Sequence, residues 1–347
     1  MTVHIVFRVL RDALEHGFKA RAAVRSQVKA DAVRSNPALK TTNKNDQLSF
    51  VVVPDFTVPG AFDEAVQGVD YITHCASPIP FGPPTTDNGY EDFVKPAVDG
   101  TLGIFASAAK GKGVKRIVST ASCIAVAPVA AAISDTGDKY TADTRQPEPG
   151  DFPPGTLSFF AYAGGKVSAL NKTEAWMENT RPNFDVIHLM PSYVIRRNDM
   201  CTSVDELLAS PNCFPLNIVR GADAGQGDSG GMAMVTNHID DCARIHVKAL
   251  DPKIEGGQSF MICHDWEALP QWDDAKAVVE KHFPEAVKSG LLPNKGGLQS
   301  ICCRLEGGKT EETFGLEYTY EDAVVSVVEQ YLELHEKESS EGGGIKN

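Results

Sequence analysis

The chain is poor in the materials of a membrane span, a disulfide framework or a metal site. No apolar run approaches the ~18–20 residues that cross a bilayer, so no membrane partner is expected. No basic stretch followed by an apolar core opens the N-terminus, so no secretory signal is read there. None of the eight cysteines (Cys75, Cys123, Cys201, Cys213, Cys242, Cys263, Cys302, Cys303) stands in a CxxC pair. That argues against zinc, and no metal is expected. Cys75 and Cys263 lie among apolar residues and read as small buried hydrophobes. A reducing, cytoplasmic setting suits this usage. Positive charge is short too: 33 Lys and Arg against 46 Asp and Glu leave a net charge of −13. An acidic surface argues against nucleic acid as the main partner. Glycine is missing from the whole stretch before Gly17, and no internal repeat is found.

What remains is an ordinary globular composition. The 347 residues are 42% hydrophobic and 23% charged, a length for one large or two intimate domains. Chemistry concentrates in Phe159-Phe160-Ala161-Tyr162-Ala163-Gly164-Gly165-Lys166. Val167, Leu170, Trp176 and Met177 continue it with helical apolar spacing. On a helix, Tyr162 and Lys166 share one face about 5–6 Å apart. A phenol beside an ammonium ionises more easily and can act as a general acid or base. YxxxK alone is a common accident on amphipathic helices. Upstream, Lys115-Arg116-Ile117-Val118-Ser119-Thr120-Ala121-Ser122 reads as a short strand ending in hydroxyl residues. Ligands of open α/β sheets sit outside the carboxyl ends of strands, so Ser122, Tyr162 and Lys166 form a candidate proton-transfer set.

Around that set the chain resembles the extended short-chain dehydrogenase/reductases, in the dihydroflavonol-reductase-like branch with fungal aldehyde and keto reductases. The residues that carry the resemblance run in order along nearly the whole chain. They are Val24-Arg25-Ser26, Val53-Pro54-Asp55, Gly60–Val66, His74-Cys75-Ala76-Ser77-Pro78, Lys95–Thr101, Tyr162–Lys166, Pro182–Phe184, Pro191-Ser192-Tyr193-Val194 and His238–Asp241. The resemblance implies a Rossmann-type α/β fold: a doubly wound parallel sheet with a smaller C-terminal substrate-binding region. It also implies a first strand and a Gly-rich phosphate turn before the helix at residues 4–16. By register Ile5 to Phe7 already match that helix, so the first strand and the turn are expected to be absent. The β-branched residues of Thr2–Phe7 leave open a substitute strand.

The remaining elements follow in order. Helix 4–16 stops at Gly17, and Lys19–Val24 is a strand. Arg25 follows it, where the resemblance implies accommodation of a 2′-phosphate and hence NADP(H) rather than NAD. Lys29 is either a second contact or a solvated lysine. Leu48–Val53 is a strand. Asp55, after it, is either the family's adenine ligand or a turn aspartate. Residues 60–67 are expected to be a short helix and Val69–Cys75 a strand. Ala76 and Ser77 open the loop that contacts the cofactor in the family. A surface loop (79–90), a long helix (91–110) and an irregular stretch (128–158) precede the Tyr162 helix. Asp185–Met190 is a strand, and Pro191 to Val194 form the loop that packs on the nicotinamide in the family. The family commonly continues with Gly, where this chain has Arg196. Residues 198–235 read as a variable lid. Asp240 and Asp241 open a helix, where acids are favoured, and capping is preferred over catalysis for them. Gln258–Cys263 is a strand. Small helices follow over 273–335, and 339–347 reads as a disordered tail. The expected division is a dinucleotide-binding domain over 1–195 with 236–263 returning to it. Residues 196–235 and 264–338 form the substrate region.

The implied activity is NADPH-dependent reduction of a ketone or aldehyde in secondary, polyketide-like metabolism. Tyr162 would give the proton, Lys166 would lower the Tyr pKa and hold the ribose, and Ser122 would bond the carbonyl oxygen. The expected partner is a small carbonyl compound, with the protein a monomer or homodimer. Two alternatives stand beside it: an epimerase or dehydratase, against which Arg25 argues, and a non-catalytic remnant without a phosphate loop.

Overall fold

The computed structural model describes residues 3–40, 47–80, 83–111, 113–222 and 231–342. The chain divides into two compact units. The first comprises Met1–Pro128, Thr141–Pro191 and Cys242–Ile262; the second comprises Val129–Tyr140, Ser192–Asp241 and Cys263–Asn347.

The first unit is a parallel α/β assembly. Helix α1 (Val3–Glu15) ends where expected. Gly17 takes φ +83°, a left-handed turn that glycine adopts without a Cβ penalty. Strands β1 (Ala20–Val24) and β2 (Leu48–Val52) pair in parallel. Between them lies α2 (Gln27–Ser35), capped by Ser26, whose hydroxyl accepts the Lys29 amide. A four-stranded parallel sheet carries the rest: β3 (Tyr71–His74), β4 (Arg116–Thr120), β5 (Asp185–Pro191) and β6 (Ser259–Ile262). Its order is β6-β5-β4-β3. Among the described residues no strand joins β1 to β3, so the parallel array is in two pieces, as expected for a missing first strand. Thr2 lies outside the described residues. Val3–Phe7 is helical, which rules out a substitute strand over those residues.

Helices α3 (Lys95–Lys110) and α4 (Ser158–Thr180) cover the four-stranded sheet. Phe105, Trp176 and Phe184 pack ring to ring in its core, beside Ile72, Ile117 and Val186. Val9 of α1 meets Ala243 and Val247 of α5 (Ile239–Lys248). Arg116 anchors the first residue of β4. Its buried guanidinium donates twice to Asp185 (2.6 and 2.9 Å) and to the carbonyls of Ala249, Asp251 and Ile254.

The second unit packs around the fully buried Trp272, ringed by Tyr193, Phe214 and Tyr320. Tyr193–Ile195 pairs in parallel with Thr236–His238. Its last helix, α6 (Tyr320–Gly342), buries Ala323, Val324, Val327 and Val328.

Three sequence expectations fail locally. Residues 60–67 form a run of turns, not a helix; bonds such as Asp63 N to Gly60 O close short loops around Gly60. The expected helix 91–110 starts one turn wide as a π-helix over Tyr90–Val94. The expected disordered tail is helical as far as Gly342; residues 343–347 lie outside the described residues, as do 223–230 of the expected lid.

Candidate active site

The site is built where β4 ends and α4 begins. Beyond β4 the chain turns at Ser122, whose extended backbone (φ −170°) caps the short turn Cys123–Ala125. α4 carries Tyr162 and Lys166, and two glycines between them let the helix come close to its neighbours. A Cβ on Gly165 would stand 2.8 Å from the Phe93 carbonyl oxygen. Glycine inside a helix costs about 1 kcal/mol relative to alanine, so close approach is the reason for it here.

Burial pushes the Tyr162 pKa up to about 12, with the Ser122 hydroxyl beside it the smaller, opposing influence. The lowered Tyr pKa expected from the sequence is therefore overturned in the ligand-free protein. The reason is geometric: Lys166 turns to the Thr120 carbonyl, donating at 3.2 Å. Lys166 is 8% exposed, and burial brings its pKa down to about 8. Thr120 is held from its other side: its hydroxyl meets His246 Nε2 at 2.8 Å, and His246 Nδ1 donates to the Cys242 carbonyl at 2.6 Å.

Ala76 and Ser77 line a small cavity with Lys166, Thr120 and His188. Arg25 and Asp55 come together beyond β1 and β2, both exposed. The Arg25 guanidinium lies 5.2 Å from the centre of the Phe56 ring. Asp55 Oδ1 accepts the amide and hydroxyl of Thr57 at 2.8 and 2.6 Å, bonds that lower its pKa, with Arg25 adding to them. That is a turn aspartate with a cation nearby. Lys29 is exposed on α2. Pro191 ends β5, and Val194 lies in the second unit opposite Asn237.

The chain is similar in sequence to a known protein over almost its full length. Ketoreductase CTB6 of Cercospora nicotianae is 38% identical over 97% of this chain and 94% of its own. The chain belongs to the extended short-chain dehydrogenase/reductase family. The NAD-dependent epimerase/dehydratase ALT6 of Alternaria alternata, another relative of this family, is 32% identical over 82% of the chain and 81% of its own length. No family model matches the chain. Among solved structures, the yeast methylglyoxal/isovaleraldehyde reductase Gre2 complexed with NADPH superposes with a TM-score of 0.77 at 21% identity. It covers 96% of this chain and 97% of its own. Vestitone reductase from alfalfa gives 0.65 at 21% identity, over 96% of each chain.

Within that family fold, some functional neighbours escaped sequence reasoning. His74, His188 and His246 are all buried around the Lys166 region. Each interrupts an apolar strand or helix, and that interruption was the available signal. Arg196, where the family commonly has Gly, adopts φ 153°, a region that favours glycine. The buried Asn212 clamps it by accepting its amide and donating to its carbonyl, and its side chain pairs with Asp240 at 3.1 Å. Asp240 is thus an ion-pair partner, and Asp241 accepts the Glu317 and Tyr318 amides.

Proposed function

We propose that the protein is an NADPH-dependent reductase of ketones or aldehydes, a ketoreductase of secondary metabolism acting on a polyketide-like carbonyl compound. The observation that carries this reading is the meeting of Ser122, Tyr162 and Lys166 at the carboxyl end of β4, in a chain similar to a fungal ketoreductase along its whole length. The donor set suits the cofactor: an exposed cation at Arg25 for a 2′-phosphate, and the Ser77 hydroxyl and Lys166 ammonium beside one cavity. Bound NADPH would supply the hydride.

The chain's own residues supply the rest. Ser122 donates to the carbonyl oxygen, a bond that strengthens as negative charge grows there. Tyr162, protonated throughout the neutral range, is loaded to give its proton to that oxygen. Lys166 is charged below about pH 8; swung from the Thr120 carbonyl toward the phenol, its ammonium would favour the phenolate left behind. Ala76, Pro191 and Val194 would flank the cofactor, and Asp55 and Lys29 its adenosine end. A non-catalytic reading draws on the divided sheet; failure to bind NADPH would favour it. Cytoplasmic location and a monomer or homodimer complete the proposal. No helix among the described residues is long and apolar enough to cross a membrane.

The test is NADPH titration of the purified protein followed by a carbonyl-compound screen. In an active preparation, Tyr162→Phe should cut kcat by roughly 10²–10⁴ with NADPH affinity nearly unchanged. Turnover at the original rate would remove Tyr162 as the acid.

A further inference from the structure

A row of buried polar side chains crosses the sheet beneath Lys166. His74 of β3 pairs with Ser119 of β4, Ser119 with His188 of β5, and His188 with Ser259 of β6. Directly paired residues point to the same face, and all four are at most 5% exposed. Polar groups in a sheet core are costly unless bonded. Two of the four have visible partners. His74 Nε2 meets the Thr101 hydroxyl at 3.3 Å. Ser259 accepts Arg145 at 3.2 Å, and Arg145 pairs with Glu174. His188 Nε2, by contrast, is fully buried and has no protein partner.

His188 lines the cavity that also touches Lys166, Ser119, Thr120 and Thr173. The cavity has about 20 Å³ of room for a water centre. One water needs roughly 10–15 Å³ on that measure, and two to four polar partners. Lys166 is one such partner, since its ammonium has three donors and one bond to protein, at Thr120; His188 Nε2 is a second.

We propose that one buried water fills this cavity, accepting from Lys166 Nζ and donating to His188 Nε2, and that His188 is thereby a positioning residue for Lys166. His188 reaches no reacting atom; it acts by holding the water that steadies the ammonium. The titratable groups facing Lys166 are His74 of β3 and Cys75 just after it. Those facing His188 are Glu174 on α4 and Arg145. Burial keeps His188 neutral down to about pH 4, and in the Nδ1–H tautomer that the proposed water selects, Nε2 is an acceptor across the working range. The importance of Lys166 rests on the reductase reading; the water site does not.

The test follows the titration of Lys166 directly, by the ¹³Cε signal of labelled lysine in the ligand-free protein, alongside the pH profile of kcat. His188→Leu removes the acceptor, leaves the water unsupported and lowers the Lys166 titration by about one pH unit. His188→Gln offers a side-chain carbonyl and stays close to the parent. Ala169→Val fills the cavity without touching His188 and reproduces the downward shift, which decides the matter should the Leu variant not fold. An unmoved Lys166 titration in Ala169→Val or in a folded His188→Leu overturns the proposal, whatever the activity. A shifted titration in a protein that reduces no carbonyl compound upholds the water site and sinks the reductase reading instead.

Discussion

Replacing the lysine of the candidate site should make the ligand-free protein more stable. Lys166 is buried with a single hydrogen bond, and its pKa falls from 10.5 to about 8, chiefly through burial. By linkage that drop corresponds to about 3 kcal/mol spent on holding the charge inside. Lys166→Met keeps the unbranched stem and discards the ammonium. It also strips the Thr120 carbonyl of that donor, which costs ~1 kcal/mol. The net expectation is a gain of about 1–2 kcal/mol at pH 7 and loss of any reductase activity. The pH dependence gives a sharper signature. Below pH 8 folded and unfolded chains both carry the proton and the penalty is fully present. Between pH 8 and 10.5 the folded state has released it while the unfolded state has not. Parent stability therefore rises across that window relative to the Met variant, and the gap closes. Urea unfolding of both proteins at pH 7 and pH 10 measures it. A Met variant that is less stable at pH 7, or a gap constant with pH, would refute the reasoning.

Arg25→Asp should weaken NADPH binding far more than NADH binding, read by fluorescence titration; equal affinities in the parent would remove Arg25 as the 2′-phosphate contact. Arg116→Lys keeps the charge but cannot fill five acceptor bonds, so urea unfolding should show a loss of about 2–4 kcal/mol; a loss under 1 kcal/mol would mean that water replaces the guanidinium. Gly165→Ala gains ~1 kcal/mol of helix propensity but pushes a methyl toward the Phe93 carbonyl, an overpacking that costs ~1–3 kcal/mol. Its melting temperature should fall, and a rise would show that α4 can retreat freely.

The parallel strands and their order of appearance were legible because each is a short apolar run closed by polar or proline residues. Tyr162 and Lys166 were legible from their spacing together with the strand upstream and the family motifs around them, and Ser122 from its place at a strand end. Their electrostatics were not. The sequence puts an ammonium one turn from a phenol, but burial and the Thr120 carbonyl decide where that ammonium points. The polar row through His74, Ser119, His188 and Ser259 was equally hidden. It is a property of register between four strands far apart in the chain, which no local pattern encodes. The turns at 60–67 defeated the helical reading because Gly60, at φ +80°, starts a loop where helix spacing promised a turn of helix.

The division into two units has a consequence for biosynthesis. The chain crosses between them at 128/129, 140/141, 191/192, 241/242 and 262/263. No contiguous fragment therefore encodes either unit, and truncation cannot yield one alone. A ribosome releasing this chain completes β5 at Pro191 but supplies its neighbour β6 only at Ile262, 71 positions later. At ~5–20 residues per second that is roughly 4–14 s. Through that interval the nascent chain holds an apolar strand edge with no partner, which makes it a natural client for chaperones that shield exposed strands during translation.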